Sequence, residues 1–158
     1  MKLLMLVRND QKDPKNIGFF KKFFAQLDTF QNTYQINAFF LYARGNSLHL
    51  EDIGTGTASI RKKFSISLFK NLFFYREAWK AIRKISPDVL YIRYKISEPL
   101  FLLFLRKISR RKIKILLEFP TFPYDKNWKT ESLLKKAVLP VDRFFRKFLK
   151  KYVSLAIN

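Results

Sequence analysis

Apolar positions come first in a short block, Leu3 to Val7, which stops at Arg8-Asn9-Asp10. An uninterrupted apolar run that gives way to polar residues is the pattern of a buried parallel strand, here Lys2 to Val7, followed by a loop from Arg8 to Gly18. From Ile17 onward Phe19, Phe20, Phe23, Phe24, Leu27 and Phe30 recur on one helical face. Tyr34 to Tyr42 is β-branched and aromatic and predicts a second strand. Asn46 to Thr57 is polar, with Gly54 and Gly56, and its alternating Leu48, Leu50 and Ile53 predict a variable connection or a short edge strand. Helical spacing returns over Ser65 to Ile85, with Leu68, Leu72, Tyr75, Trp79 and Ile82 on one face, and Pro87 closes it.

Asp88 to Ile92 reads as the next buried strand, and Ser97 to Ile108 as a helix with Ser97 as its N-cap and Pro99 in its first turn. Lys112 to Glu118 is a further strand. Thr130 to Tyr152 is helical by period, with Leu134, Ala137, Val138, Val141, Phe145, Phe148, Leu149 and Tyr152 facing inward and Pro140 expected to kink or divide it. Val153 to Asn158 reads as a last strand. Strand and helix alternate throughout, which predicts an α/β fold: a Rossmann-like parallel sheet with helices on both faces and right-handed crossovers, as one domain over residues 1–158.

In such sheets ligands sit where the strands end at their carboxyl edge. The residues at those exits are Arg8 and Asn9, Arg44, Arg93 and Tyr94, and Glu118. A single polar exit is what any buried strand requires. The segment from Glu118 to Asp125 (EFPTFPYD) goes further, because Pro120 and Pro123 stiffen a loop that offers a carboxylate, the Thr121 hydroxyl, the Tyr124 phenol and the Asp125 carboxylate. Glu118 can also serve as the ion-pair partner of Arg93, one strand over.

Charge narrows the partners. With 32 Lys plus Arg against 12 Asp plus Glu, the formal net charge is +20 on 158 residues, which points to an anionic partner: nucleic acid, anionic lipid or a phosphorylated substrate. Basic residues concentrate at Arg61 to Lys63, at Arg106 to Lys114 and over Lys135 to Lys151, the last interleaved with Phe144, Phe145 and Phe148. Such helices can lie on anionic bilayers. Equally, Phe145 and Phe148 can be core and the lysines merely solvated. Leu3 to Val7 is too short for the apolar core of a signal peptide, and the longest apolar stretch, Leu100 to Leu105, is too short to span a bilayer. The expected location is cytoplasmic, with any membrane association peripheral at the inner face. The chain has no Cys and a single His, His49, which reads as structural or solvent-exposed; no metal site or nucleophilic triad is expected.

Three segments, NIGFFKKFFAQLDTF (Asn16 to Phe30), DVLYIRYKISEPLF (Asp88 to Phe101) and ILLEFPTFPYDKNW (Ile115 to Trp128), resemble the amino-terminal half of bacterial GT-B fold glycosyltransferases, particularly family 4 enzymes of polysaccharide and cell-wall synthesis. The resemblance spans nearly the whole chain, and the E-x-P-T-x-P-Y-D pattern is its sharpest part. It implies a sugar transferase acting from a nucleotide-sugar donor onto a cell-surface polysaccharide or lipid-linked acceptor, without a cofactor. It further implies that Asn16 and Gly18 lie near the donor diphosphate, and that Arg93, Glu118, Thr121, Tyr124 and Asp125 line the acceptor side, with Glu118 the candidate catalytic carboxylate. A glycine there lets backbone approach phosphate, and the helix that follows offers free N–H groups; a simple turn would also account for Gly18. In the family a second, carboxyl-terminal domain grips most of the donor, so this chain alone is expected to be an inactive acceptor-side domain that partners with such a domain and binds no specific nucleic acid. The alternative reading is a basic nucleic-acid-binding module or a structural Rossmann-like module.

Overall fold

The computed structural model describes residues 1–63, 70–119 and 133–157, with the backbone alone considered at 61–63, 70–72 and 133–139. In chain order the elements are β1 (Lys2–Asp10), α1 (Ile17–Asn32), β2 (Asn37–Arg44), β3 (Ser47–Asp52), β4 (Thr57–Lys63), α2 (Lys70–Ile85), β5 (Val89–Arg93), α3 (Pro99–Ser109), β6 (Lys114–Glu118), α4 (Leu133–Arg146) and β7 (Leu155–Ile157). The strands form one sheet in the order β4-β3-β2-β1-β5-β6-β7. From β2 through β7 every neighbour is parallel, whereas β3 and β4 add to the β2 edge as antiparallel strands. This is a mostly parallel α/β sheet of Rossmann-like layout.

Side chains alternate across each strand, so the sheet has two cores. On one face Leu3, Met5 and Val7 of β1, Ala38, Phe40 and Tyr42 of β2 and Tyr91 of β5 are buried beneath Phe20, Phe23 and Leu27 of α1. On the other, Leu4, Leu6, Leu41, Leu90, Ile92, Ile115 and Leu117 pack against α2 and α3, joined by Leu149 from the 3-10 turn after α4. The apolar period of α1 is thus explained by a single sheet face.

Three expectations are corrected, and a fourth is met by β3 but extended by a strand the sequence did not announce. The polar stretch after β2 is a β3–β4 hairpin, and Thr57–Lys63 (TASIRKK) is a strand whose described side chains, Thr57 to Ile60, are all exposed, so no buried alternation announces it. Ser97 does not cap α3. The N-cap is Glu98, with no side-chain cap bond, while Ser97 is buried and its N–H donates to Asp142 Oδ1 at 2.6 Å. Pro140 lies inside an undivided α4, which ends at Arg146 instead. Val141 is exposed and Asp142 is the buried residue of that pair, because the Asp142 carboxylate accepts from the Tyr94 hydroxyl and the Ser97 N–H and pairs with Arg146. Leu68, Leu72, Leu134, Ala137 and Val138 fall outside the described side chains.

Candidate functional site at the carboxyl edge of the sheet

The chain leaves β1 toward β2 on one side and later returns to β5 on the other, which makes the carboxyl ends of β1 and β5 the switch point of the sheet. Loops diverge there and leave a crevice. Arg93 and Glu118 close the neighbouring strands β5 and β6 and are Cα partners in register. They lie on the α1 face. Arg93 Nη1 donates to Glu118 Oε1 at 2.9 Å, and Lys22 Nζ of α1 stands 3.8 Å from the same oxygen. The Arg93 guanidinium is held over the rings of Phe19 and Phe23, at 4.8 and 5.2 Å. An aromatic face attracts a cation, so the two rings fix the guanidinium without consuming its N–H groups.

The two oxygens of Glu118 differ. Oε1 is held by the cations, whereas Oε2 is buried and has no hydrogen-bond partner among the described residues. Tyr91, two residues before Arg93, feels the same carboxylate: burial first, then the Glu118 charge and a hydrogen-bonding approach, raise its phenol pKa well above the ordinary value. No bond of ordinary geometry joins them, and Oε2 stays buried without a donor. A buried carboxylate oxygen without a donor costs free energy, and such positions cluster where ligands bind.

Just before α1, Asp13 caps the 3-10 turn Pro14–Asn16 by accepting from Lys15 N–H, and the Ile17 N–H is taken by Pro14 O. The helix proper then begins. Asn16 makes no cap bond; its Nδ2 donates to Asp10 O at 2.9 Å and its Oδ1 accepts from Asn9 Nδ2 at 3.4 Å, so its side chain ties the loop to the end of β1. Gly18 lies in the first turn with ordinary helical geometry, and a Cβ there would meet nothing within 4 Å. Neither a turn nor crowding requires a glycine at this position. What it provides is bare backbone at a helix end whose next N–H groups have no intrahelical acceptor.

Arg8, at the end of β1, projects to the other face and is occupied. Its Nη1 donates to Tyr75 Oη and to Glu98 Oε1, both at 2.5 Å, and the Tyr75 hydroxyl donates to Glu98 Oε1 at 3.0 Å. Burial, with Glu98 adding and Arg8 opposing, raises the Tyr75 pKa, so the phenol stays a donor. Beside it the Tyr94 phenol is raised to about 12, by burial first and then by its hydrogen bond to Asp142. These two buried clusters hold α2, α3 and α4 to the same sheet edge.

His49 is structural: it is buried, its Nε2 pairs with Ser47 Oγ at 2.9 Å, and its ring stacks on Tyr42 at 5.7 Å. Burial first, then Arg44, lower its pKa, with Glu51 opposing. Among the described residues no group of three or more His, Asp or Glu can hold a metal, and no helix is long and apolar enough to cross a membrane.

Of the residues singled out in the sequence, Arg93 and Glu118 are brought together, Gly18 and Asn16 stand at the helix end on the same edge, and Thr121, Tyr124 and Asp125 lie outside the described residues. Phe19, Lys22, Phe23 and Tyr91 were not anticipated. Their signal was available, since residues 19, 22 and 23 form one flank of α1. Compared with protein-family models, with curated proteins and with solved structures, the chain matches none.

Proposed function

We propose that the chain is the amino-terminal, acceptor-side domain of a GT-B type glycosyltransferase that, with a second donor-binding domain, moves a sugar from a nucleotide-sugar to a polysaccharide or lipid-linked acceptor. The observation that carries the reading is the Glu118 carboxylate: one oxygen is fixed by Arg93 and the other is buried and open, at the end of β6 where the EFPTFPYD segment begins. A carboxylate oriented through one oxygen can accept a hydrogen bond from an acceptor hydroxyl through the other. Lys22, more than half exposed beside Glu118, and the bare backbone at Gly18 at the start of the same helix suit phosphate. The carboxyl edge of a mostly parallel sheet is where such ligands sit. Exposed Val141 and Phe144 among the cations of α4 and its following turn would face an anionic membrane carrying the acceptor.

The test is an NMR titration of the isotopically labelled chain with UDP- and GDP-sugars and with oligosaccharides. The expected result is a saturable shift of the Gly18, Phe19, Arg93 and Tyr94 amides without turnover. Turnover by this chain alone would refute the half-enzyme reading. Sequence-preferring nucleic-acid binding, with no response to any sugar ligand, would replace it by the nucleic-acid alternative.

A further inference from the structure

On the outer flank of α1, away from Arg93 and Glu118, lies a second cavity of about 490 Å³, lined by Gln11, Lys12, Ile17, Phe20, Lys21, Phe24 and Arg44. Its volume is in the range that holds a small organic ligand. The lining comes from three segments: the loop after β1, the first two turns of α1 and the end of β2. Phe20 and Phe24 form an apolar floor, and both rings rest on Tyr42, at 5.7 and 5.9 Å, so the floor is anchored to the sheet. Ile17, 48% exposed, stands at the rim.

Three cations surround this floor. Lys12, Lys21 and Arg44 are exposed and form no ion pair among the described residues. On the same loop, Asp10 Oδ1 accepts from the Lys12 and Gly45 N–H groups at 2.9 and 2.7 Å and thereby sets the positions of the two loops. Like charges around one concavity repel, and an anion between them relieves that repulsion. Gln11 supplies the third feature. Its backbone N–H donates to Ala43 O at 2.8 Å, while its side-chain Oε1 is buried and without a hydrogen-bond partner among the described residues. An amide oxygen in that position accepts from a hydroxyl.

From this combination we infer a binding site for a phosphate monoester carried on an apolar or aromatic body: phosphate oxygens between Lys12, Lys21 and Arg44, a hydroxyl of the phosphate or of its carrier on Gln11 Oε1, and the carrier on Phe20 and Phe24. The site is independent of the sugar-transfer reading and lies on a different flank of α1. A free phosphorylated metabolite and the headgroup of a phosphomonoester lipid share this chemistry.

The experiment uses phenyl phosphate, inorganic phosphate and phosphatidylcholine vesicles with and without phosphatidic acid, at physiological salt. Calorimetry on the wild-type chain is expected to show phenyl phosphate binding at least about tenfold more tightly than inorganic phosphate, because the carrier buries apolar surface on Phe24 and Ile17. Lys21→Gln/Arg44→Gln is expected to weaken it at least about tenfold through loss of charge-assisted contacts. Lys107→Gln/Arg111→Gln, which removes the same charge beside Trp79 on the opposite sheet face, is expected to leave it unchanged. Vesicle binding that needs phosphatidic acid and Arg44 identifies the lipid as the source, and soluble binding alone identifies a metabolite. Equal affinity for the two soluble probes, or equal loss in both double variants, reduces the site to diffuse net charge and overturns the inference.

Discussion

Glu118→Gln separates the two oxygens of the carboxylate. The substitution keeps the shape and leaves an amide oxygen to accept from Arg93 at the 2.9 Å contact, but removes the charge. The bond is kept from a cationic donor and only the attraction between opposite charges is lost, so the expected loss is about 1 kcal/mol, toward the low end of what a charge-assisted bond contributes. Lys22 adds little, because its side chain is 59% exposed and 3.8 Å away. Glu118→Leu is different: it leaves the Arg93 guanidinium, 16% exposed, without its counter-charge, which costs about 3 kcal/mol, lessened by the Phe19 and Phe23 rings. Urea unfolding followed by circular dichroism reads both. With a slope of about 2 kcal/mol per molar, the midpoint should fall by about 0.5 M for the Gln variant and by about 1.5 M for the Leu variant. Equal large losses would make Glu118 a structural keystone with no open oxygen to offer, and no loss in either would mean the pair does not form.

Three further outcomes follow from other parts of the molecule. Asp142→Ala should cost about 3 kcal/mol, because it strands the buried Ser97 N–H, removes the counter-charge of Arg146 and leaves the Tyr94 hydroxyl with Ser97 Oγ alone, and limited proteolysis should then cut α4 first; unchanged cleavage would contradict the latch. Ser86→Gly and Lys112→Gly should each stabilise by about 0.5–1 kcal/mol, since both residues hold left-handed φ values of 51° and 59°, and a lower urea midpoint would refute this. His49 has a lowered folded pKa, so its contribution to stability is present above its unfolded value near 6.5 and fades as pH falls through the folded value; urea midpoints at pH 7.5 and 5 should differ more in the wild type than in His49→Gln.

The parts of the fold that were legible in sequence are those whose burial is local and continuous. Leu3 to Val7, the Phe-rich face of α1, and the runs ending at Arg93 and Glu118 carry their own signal, because the strands are buried on both faces of the sheet and α1 turns one continuous apolar face to it. β4 was hidden since an edge strand whose Thr57 to Ile60 side chains are exposed shows no apolar alternation. Ser97 resembled a cap because Ser before Glu-Pro has that pattern, yet its N–H belongs to Asp142, 45 positions away. That contact also turns α4 so that Val141 faces out. The site was half legible: a carboxylate after a buried strand marks the exit, whereas pairing Arg93 with Lys22 and the α1 rings requires the strand order, which spacing does not give.

The central claim is that the open oxygen of Glu118 meets a sugar hydroxyl, and calorimetric affinity for the saccharide or nucleotide-sugar that shifts the Arg93 amide tests it most directly. Binding to Glu118→Gln, which places an amide where the hydroxyl needs a carboxylate, is expected to be at least about tenfold weaker in a chain that stays folded. Unchanged affinity in the folded variant would contradict it.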